Sequence, residues 1–234
     1  MRSEEVCVAE VLERLESVYG AQEPGSPTDP YRFIVWWHCG YPQSAERCAR
    51  GWAALSEQVG TEPGQILRAG QAQLTAALKA GGMVPELRAV RLLEIAERMM
   101  REFDGDSARM VAGPVEEVRG RLKRFPGISD PGADRILLFA RATPVAAVPS
   151  NCPHVLVRIV HGLERENYGT TYREAQEILE AETPREFDPR QRAYLLLKAH
   201  GQQICKRKPL CDKCPVRTDC RYAAGVDRGG QHKS

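Results

Sequence analysis

The sequence predicts an all-α protein, and two observations support that prediction. Apolar residues recur every three to four positions in nearly every periodic segment, and no alternating apolar–polar pattern lasts long enough to form a sheet. The first helix is predicted at 3–19 and the longest at 85–103. The others are predicted, in chain order, at 30–39, 44–59, 63–69, 71–80, 114–124, 131–142, 154–163, 170–180 and 188–202. A Pro- and Gly-rich linker at 22–30 separates the first helix from the rest.

The composition is that of an ordinary soluble protein. The chain has 234 residues, 42% hydrophobic and 27% charged, which is enough for one large domain or two small ones. No apolar run approaches the length of a membrane span, and the acidic N-terminus lacks the apolar core of a secretion signal. We therefore expect no membrane partner and a cytoplasmic location, associated with the nucleoid if the source is bacterial. In that compartment thiols stay reduced.

Four cysteines near the C-terminus form the most informative motif. Their spacing is C-x5-C-x2-C-x5-C, at Cys205, Cys211, Cys214 and Cys220. Four thiolates in so short a loop can close around one metal centre, either Zn²⁺ or an iron–sulfur cluster. The other cysteines are scattered and are interpreted as buried or unreacted thiols; they are Cys7, Cys39, Cys48 and Cys152.

The segment from Cys205 to the C-terminus is basic. It carries eight Lys or Arg residues and three Asp residues, a net charge of +5, although the whole chain carries only +2. Such an excess suits a phosphate backbone. The alternative is a basic tail that only improves solubility.

A second motif covers residues 122–138, Leu-Lys-Arg-Phe-Pro-Gly-Ile-Ser-Asp-Pro-Gly-Ala-Asp-Arg-Ile-Leu-Leu. It predicts a helix ending near Arg124, a tight turn at Pro126–Gly127, and a second helix with Asp130 as its N-cap and Pro131 in its first turn. Gly127 would let backbone amides approach an anion, and the helix N-terminus would add its dipole. The alternative is an ordinary helix–helix connection.

The hairpin and the cysteine loop together resemble the endonuclease III-like DNA glycosylases of the helix-hairpin-helix superfamily. That family has a Leu-Pro-Gly-Val-Gly hairpin, a downstream aspartate and a four-cysteine [4Fe–4S] loop. This chain has Phe125-Pro-Gly-Ile-Ser and, at 200–211, His-Gly-Gln-Gln-Ile-Cys-Lys-Arg-Lys-Pro-Leu-Cys. Its first two cysteines are one residue closer than is usual in the family. The resemblance spans about residues 30–221 and implies a [4Fe–4S] cluster rather than Zn²⁺.

The resemblance also implies an architecture and a partner. We expect a helical barrel domain at 29–140, with its helix-hairpin-helix at about 114–142. A discontinuous helical domain would be formed by 1–28 and 141–234, with the cluster loop at 205–220. Double-stranded DNA would lie kinked across the cleft between the domains, with one nucleotide flipped out. The protein is expected to act as a monomer.

Several residues are expected to contact DNA on this resemblance. Gln43, in the loop Gly40-Tyr-Pro-Gln, lies one position from the family's glutamine wedge. Met83, after Ala80-Gly-Gly, lies where the family presents an apolar side chain beside a base; the alternative is a methionine packed in the core. The remaining expected contacts are Gly127, Ile128, Ser129, Gly132, Lys206, Arg207 and Lys208.

Both catalytic positions of the family are proline in this chain. The lysine that forms a Schiff base is replaced by Pro131, and the aspartate that follows a valine is replaced by Pro149. In one interpretation the chemistry has moved to Asp134, which shares a helix face with Pro131. The alternatives near these positions are Asp130, Ser150, Asn151 and His154. Cys152 is interpreted as a structural thiol rather than a partner of His154.

We therefore expect a DNA repair protein of base-excision repair, acting as a DNA N-glycosylase with a non-standard active site and without lysine-dependent strand cleavage. The rival hypothesis is a non-catalytic DNA-damage recognition protein on the same fold. A third hypothesis is a zinc-stapled helical interaction module that does not bind DNA. Base specificity depends on pocket shape, so these motifs name no lesion.

Overall fold

The structure, a computed structural model, describes residues 6–41, 43–163 and 165–227. Within these residues the backbone forms twelve α-helices and no strand, so the all-α prediction is confirmed. The helices are α1 Val8–Tyr19, α2 Pro30–Gly40, α3 Ala45–Gln58, α4 Pro63–Leu78, α5 Pro85–Phe103, α6 Ser107–Met110, α7 Val115–Leu122, α8 Asp130–Phe139, α9 His154–His161, α10 Tyr168–Glu182, α11 Phe187–Gln203 and α12 Arg221–Asp227.

Most predicted helices are present with ends shifted by one to three residues, and α5 has the predicted bounds. The helices predicted at 63–69 and 71–80 are both present and are joined in α4 by a kink at Gly70, whose φ of 66° is not helical. The first helix begins at Val8, and the predicted positions 3–5 lie outside the described residues. The short helices α6 and α12 were not predicted, because four and seven residues are too few to show a period.

The chain packs into two compact units. The central unit is Pro24–Ala142 and contains α2 to α8. The discontinuous unit joins Met1–Glu23 to Thr143–Ser234 and contains α1 and α9 to α12.

The central unit is organised around α2. Eight of its eleven residues are buried, because α3, α5, α6 and α8 all pack against it. Its N-terminus is fixed by Asp29, whose carboxylate accepts a hydrogen bond of 2.8 Å from the Arg32 amide, and by Pro30 in the first turn. The core around it is apolar and fully buried, with Phe33, Ile34, Leu55, Ile66, Leu74, Leu92, Ile95, Met99 and Phe125 among its members.

The discontinuous unit has its own core. Four residues of α1, at the spacing that the sequence predicted, pack with α9, α10 and α11: Val8, Val11, Leu12 and Leu15. Cys152, Cys205 and Cys220 belong to the same buried group. The two ends of the chain are therefore joined through one hydrophobic core. No helix among the described residues is long and apolar enough to cross a membrane.

Candidate nucleic-acid interface and cysteine centre

The hairpin between α7 and α8 combines buried side chains with an exposed turn. Phe125 and Ile128 are buried, while Gly127 between them is exposed with φ +70°. The turn contains one backbone hydrogen bond, from the Ile128 amide to the Phe125 carbonyl, of 3.2 Å. Among the described residues, the amides of Gly127 and Ser129 have no backbone acceptor. Two amide donors thus remain available at an exposed turn, which suits an anion.

The structure changes some details expected at this hairpin. Ser129, rather than Asp130, occupies the N-cap of α8, and its side chain makes no capping hydrogen bond. Asp130 is the first helical residue, and its carboxylate is bound by Lys123 at 2.7 Å. The side chain of Ile128 is buried against Gly132, so any contact of these two residues with DNA would be through their backbone.

A histidine that the sequence analysis did not select supports the turn. His38, near the end of α2, places Nε2 2.8 Å from the carbonyl oxygen of Pro126. Burial is the main cause that lowers the pKa of His38 to about 4; the Pro126 hydrogen bond opposes this effect, and the nearby Arg91 and Arg88 add to it. A lone histidine inside an apolar helix gives no functional signal in a sequence, so this contact could not be predicted from the sequence.

The two loops expected to insert into DNA lie side by side. A Cβ on Gly82 would be 3.3 Å from Cγ of Gln43, although the two residues are far apart in sequence. The half-buried Gln43 accepts a hydrogen bond of 3.3 Å from Arg47. Pro42, in the same loop, lies outside the described residues.

Close backbone packing and one buried arginine hold these loops together. A Cβ on Gly81 or on Gly51 would overlap the carbonyl oxygen of Cys39, so α2, α3 and the turn at 79–81 meet at backbone distance. From α5, the buried Arg88 donates to the carbonyls of Gly40, at 3.2 Å, and Tyr41, at 3.4 Å. The end of α2 is therefore in contact with both the loop that contains Gln43 and the turn at 79–81.

Met83 projects from the second loop into solvent. Its side chain is 66% exposed, so the alternative of a core methionine is wrong. Val84 follows it in the left-handed region, with φ 53°, a conformation that a β-branched residue rarely adopts. Leu87 and Val90 continue the exposed apolar surface along α5. An apolar tip presented from a strained turn suits insertion between bases.

The preferred catalytic carboxylate is placed in the interior. Asp134 lies on α8, whose residues from Pro131 to Phe139 are all buried, and it is itself only 2% exposed. It accepts a hydrogen bond of 2.7 Å from Nε of Arg119, which also binds Glu116. The helix face of Asp134 is therefore buried and its charge is matched by Arg119, and its catalytic role stays a prediction.

The alternatives around Pro149 have different surroundings. Pro149 is buried, Ser150 is half-buried and Asn151 is exposed, and the side chains of the last two are 3.3 Å apart. The carbonyl of Ser150 accepts a hydrogen bond of 3.0 Å from the hydroxyl of Tyr168. His154 is 2.8 Å from the carbonyl of Cys205 and so supports the cysteine loop.

Cys152 is a structural thiol, as expected. It is buried against Gly201, and its Sγ is 3.8 Å from the carbonyl of Leu197. Burial raises its pKa to about 12, so it stays protonated at neutral pH. A thiolate–imidazole pair with His154 is not formed.

The four C-terminal cysteines share one environment. Cys205 and Cys220 are buried, and Cys211 and Cys214 are half-buried. Burial raises the pKa of Cys214 to about 11, with further contributions from the other three cysteines. Within the described range, no group of three or more His, Cys, Asp or Glu side chains is placed to hold a single metal ion.

Two buried polar residues line the cysteine loop. Arg158, 1% exposed, donates to Sγ of Cys205 at 3.5 Å and to the carbonyl of Lys206 at 2.7 Å. His200 places Nδ1 2.9 Å from the hydroxyl of Tyr19 and Nε2 3.7 Å from Sγ of Cys214. Lys206, Arg207 and Lys208 are exposed on the same loop; Arg228 and Lys233, counted in its charge, lie outside the described residues. The loop thus has a supported interior and a basic exterior.

No family model matches the chain, but individual proteins do. It is 25% identical over 158 residues to a protein of Methanocaldococcus jannaschii named as a DNA repair glycosylase, covering 67% of this chain and 69% of the relative. It is 34% identical over 104 residues to endonuclease III of Rickettsia felis, covering 43% of this chain and 45% of that protein.

Solved structures share the fold over almost the whole chain. A trapped endonuclease III–DNA covalent intermediate superimposes with a TM-score of 0.73 at 16% identity, covering 94% of this chain and 97% of that one. A thermostable thymine-DNA glycosylase gives 0.70 at 20% identity, covering 93% and 94%. The Helicobacter pylori 3-methyladenine DNA glycosylase bound to 1,N6-ethenoadenine gives 0.54 at 18%, covering 82% and 93%. The chain therefore has the endonuclease III-like fold.

Proposed function

We propose, from this fold, that the protein binds damaged or mismatched duplex DNA in base-excision repair and hydrolyses the N-glycosidic bond of a target base. The observation that carries the proposal is the hairpin at 125–129. Gly127 and Ser129 are exposed residues whose amides have no backbone acceptor, and they lie beside the N-terminus of α8, a site that suits a DNA phosphate. The curated relatives, named as a DNA repair glycosylase and as endonuclease III, support the same activity.

The apolar and polar tips of the two loops complete the proposed DNA contact. Met83 would enter the base stack, and Gln43 in the adjoining loop would fill the space left by a flipped nucleotide. Lys206, Arg207 and Lys208 would contact further phosphates. We propose that the protein acts in this way as a monomer in the cytoplasm, where DNA is accessible.

The proposed chemistry is hydrolysis without a covalent DNA intermediate. Pro131 supplies no amine, so strand cleavage through a Schiff base is not expected. Asp134 is committed to Arg119. Two accessible polar side chains beside Pro149 remain as candidates for orienting water at the sugar, those of Ser150 and Asn151. Their change to Ala should lower base release without lowering DNA affinity.

The second candidate function is recognition of damaged DNA without catalysis. Buried prolines at both catalytic positions of the family and the buried ion pair of Asp134 favour it. Incubation with a panel of lesion-bearing duplexes separates the two. Release of a free base, measured by chromatography, supports the glycosylase. Binding without release from any lesion would leave recognition as the function.

We further propose a [4Fe–4S] cluster on Cys205, Cys211, Cys214 and Cys220. The chemistry of the donor set supports the proposal: four thiols stand in one short loop, two of them buried and two half-buried, and Arg158 offers a positive charge beside Cys205. Bound there, the cluster would hold the basic loop in shape rather than take part in base removal. A brown protein with visible absorbance and bound iron is expected; a colourless, zinc-containing protein would contradict this assignment.

A further inference from the structure

The Pro126–Gly127 turn rests on the end of α2. A Cβ on Gly127 would lie 3.4 Å from Cε1 of His38 and 3.6 Å from Nε1 of Trp37. Two aromatic rings therefore lie on the side of the turn opposite its exposed face. His38 makes the polar contact, since its Nε2 is 2.8 Å from the Pro126 carbonyl.

The direction of this hydrogen bond follows from the chemistry of its two partners. A carbonyl oxygen has no proton to give, so Nε2 of His38 must donate. The imidazole is 4% exposed and lies near Arg88 and Arg91, surroundings that disfavour a charged ring. His38 is therefore neutral, with its proton on Nε2.

Neighbouring residues restrain the position of His38. α2 is buried along most of its length, and Arg88 donates to the carbonyl of His38 at 3.5 Å as well as to those of Gly40 and Tyr41. The residue that contacts the hairpin thus stands on the same short segment as the loop that carries Gln43.

We infer, on the premise of the proposed DNA binding, that His38 is a positioning residue for the hairpin. Its Nε2–H holds the Pro126 carbonyl, and this orients the turn so that the amides of Gly127 and Ser129 face a DNA phosphate. His38 does not touch DNA. It orients the amides that do contact DNA. The Pro126 carbonyl accepts the hydrogen bond of the buried Nε2–H, so this polar group is satisfied.

Two substitutions test this with matched side chains. The amide nitrogen of Gln can reach approximately the position of Nε2, whereas that of Asn reaches only the position of Nδ1. His38→Gln should keep the hydrogen bond and His38→Asn should lose it, although both place an amide in the same buried site. His161→Asn, at an exposed histidine of α9, is the control.

The measurement is affinity for a duplex containing a tetrahydrofuran abasic-site analogue, at several salt concentrations and well below the melting temperature of each variant. His38→Asn should bind about tenfold more weakly, as expected for one lost hydrogen bond with an unsatisfied carbonyl. Its plot of log affinity against log salt should keep the wild-type slope, because the weakened contacts come from uncharged backbone amides, which release no counterions. His38→Gln and His161→Asn should behave like the wild type.

A purely structural role for His38 would lower the melting temperature of the Asn variant without changing its DNA affinity well below that temperature. An Asn variant with wild-type affinity, or equal losses of affinity in the Asn and Gln variants, would overturn the inference and leave the proposed function standing. A wild-type protein that does not bind the duplex would overturn both. Nitrogen NMR gives an independent check, because a His38 ring protonated on Nδ1 instead of Nε2 would also overturn it.

Discussion

Asp134 and Arg119 form an ion pair of 2.7 Å in which the carboxylate is 2% exposed and the guanidinium 24% exposed. The pair joins α7 to α8, the two helices of the hairpin. The carboxylate that follows the family's catalytic lysine position by about one helical turn therefore stabilises the motif itself.

Asp134→Asn should lower the free energy of unfolding by about 2–3 kcal/mol, less than for a fully buried pair because Arg119 is partly exposed. Base release, measured below the melting temperature, should persist. Glu116→Gln, which removes the exposed partner of the same arginine, should cost under about 0.5 kcal/mol. An Asp134→Asn protein of normal stability that no longer releases a base would assign catalysis to Asp134 after all.

The stability of the protein should depend on pH through His38. Its pKa of about 4 in the folded state lies below the ordinary value of 6.5, so the unfolded chain binds the proton first as pH falls. This contribution is fully present above pH 6.5 and is lost as pH falls towards 4, by about 3 kcal/mol for a shift of this size. His38→Gln should show a smaller loss in urea unfolding between those pH values. His200, whose pKa burial also lowers to about 4, keeps the remaining dependence in both proteins. Identical pH profiles would refute the prediction.

Met83→Ala should weaken binding to an abasic duplex by up to about 2 kcal/mol, as expected for burial of most of one methionine side chain. Its effect on the melting temperature should be negligible, because the side chain is 66% exposed. Met100→Ala, at an exposed methionine near the other end of α5, is the matched control for affinity. Equal affinities for the two variants would argue that Met83 does not enter the base stack.

Replacing glycine by alanine should have opposite effects on the stability of the fold at two sites. Gly81→Ala should destabilise the fold by roughly 3 kcal/mol, since the new methyl group would overlap the carbonyl of Cys39. Gly120→Ala should stabilise it by up to about 1 kcal/mol, because the site is inside α7 with no atom near the new methyl group. Chemical denaturation of both variants measures the difference; a tolerated Gly81→Ala would contradict the close packing of the two loops.

Local features of this chain were predictable from the sequence. The bounds of α5 follow from its apolar period and from Pro85, and the tight hairpin follows from Pro126–Gly127. The interruption of α4 at Gly70 was predicted as a boundary between two helices, because glycine alone adopts that conformation without strain. The N-cap of α8 was wrong by one residue, as helix ends commonly are.

The longer helices and the hairpin turn could be predicted from the chain alone, because periodicity and turn residues act over a few neighbouring positions. Only the tertiary structure decided that Asp134 is buried with Arg119, that Met83 is exposed beside Gln43, and that His38 holds the Pro126 carbonyl. The physical reason is the same in each case. Which face of a helix meets a neighbour, and which polar group finds a partner there, depends on residues that are distant in sequence and are brought together by burial of the apolar core.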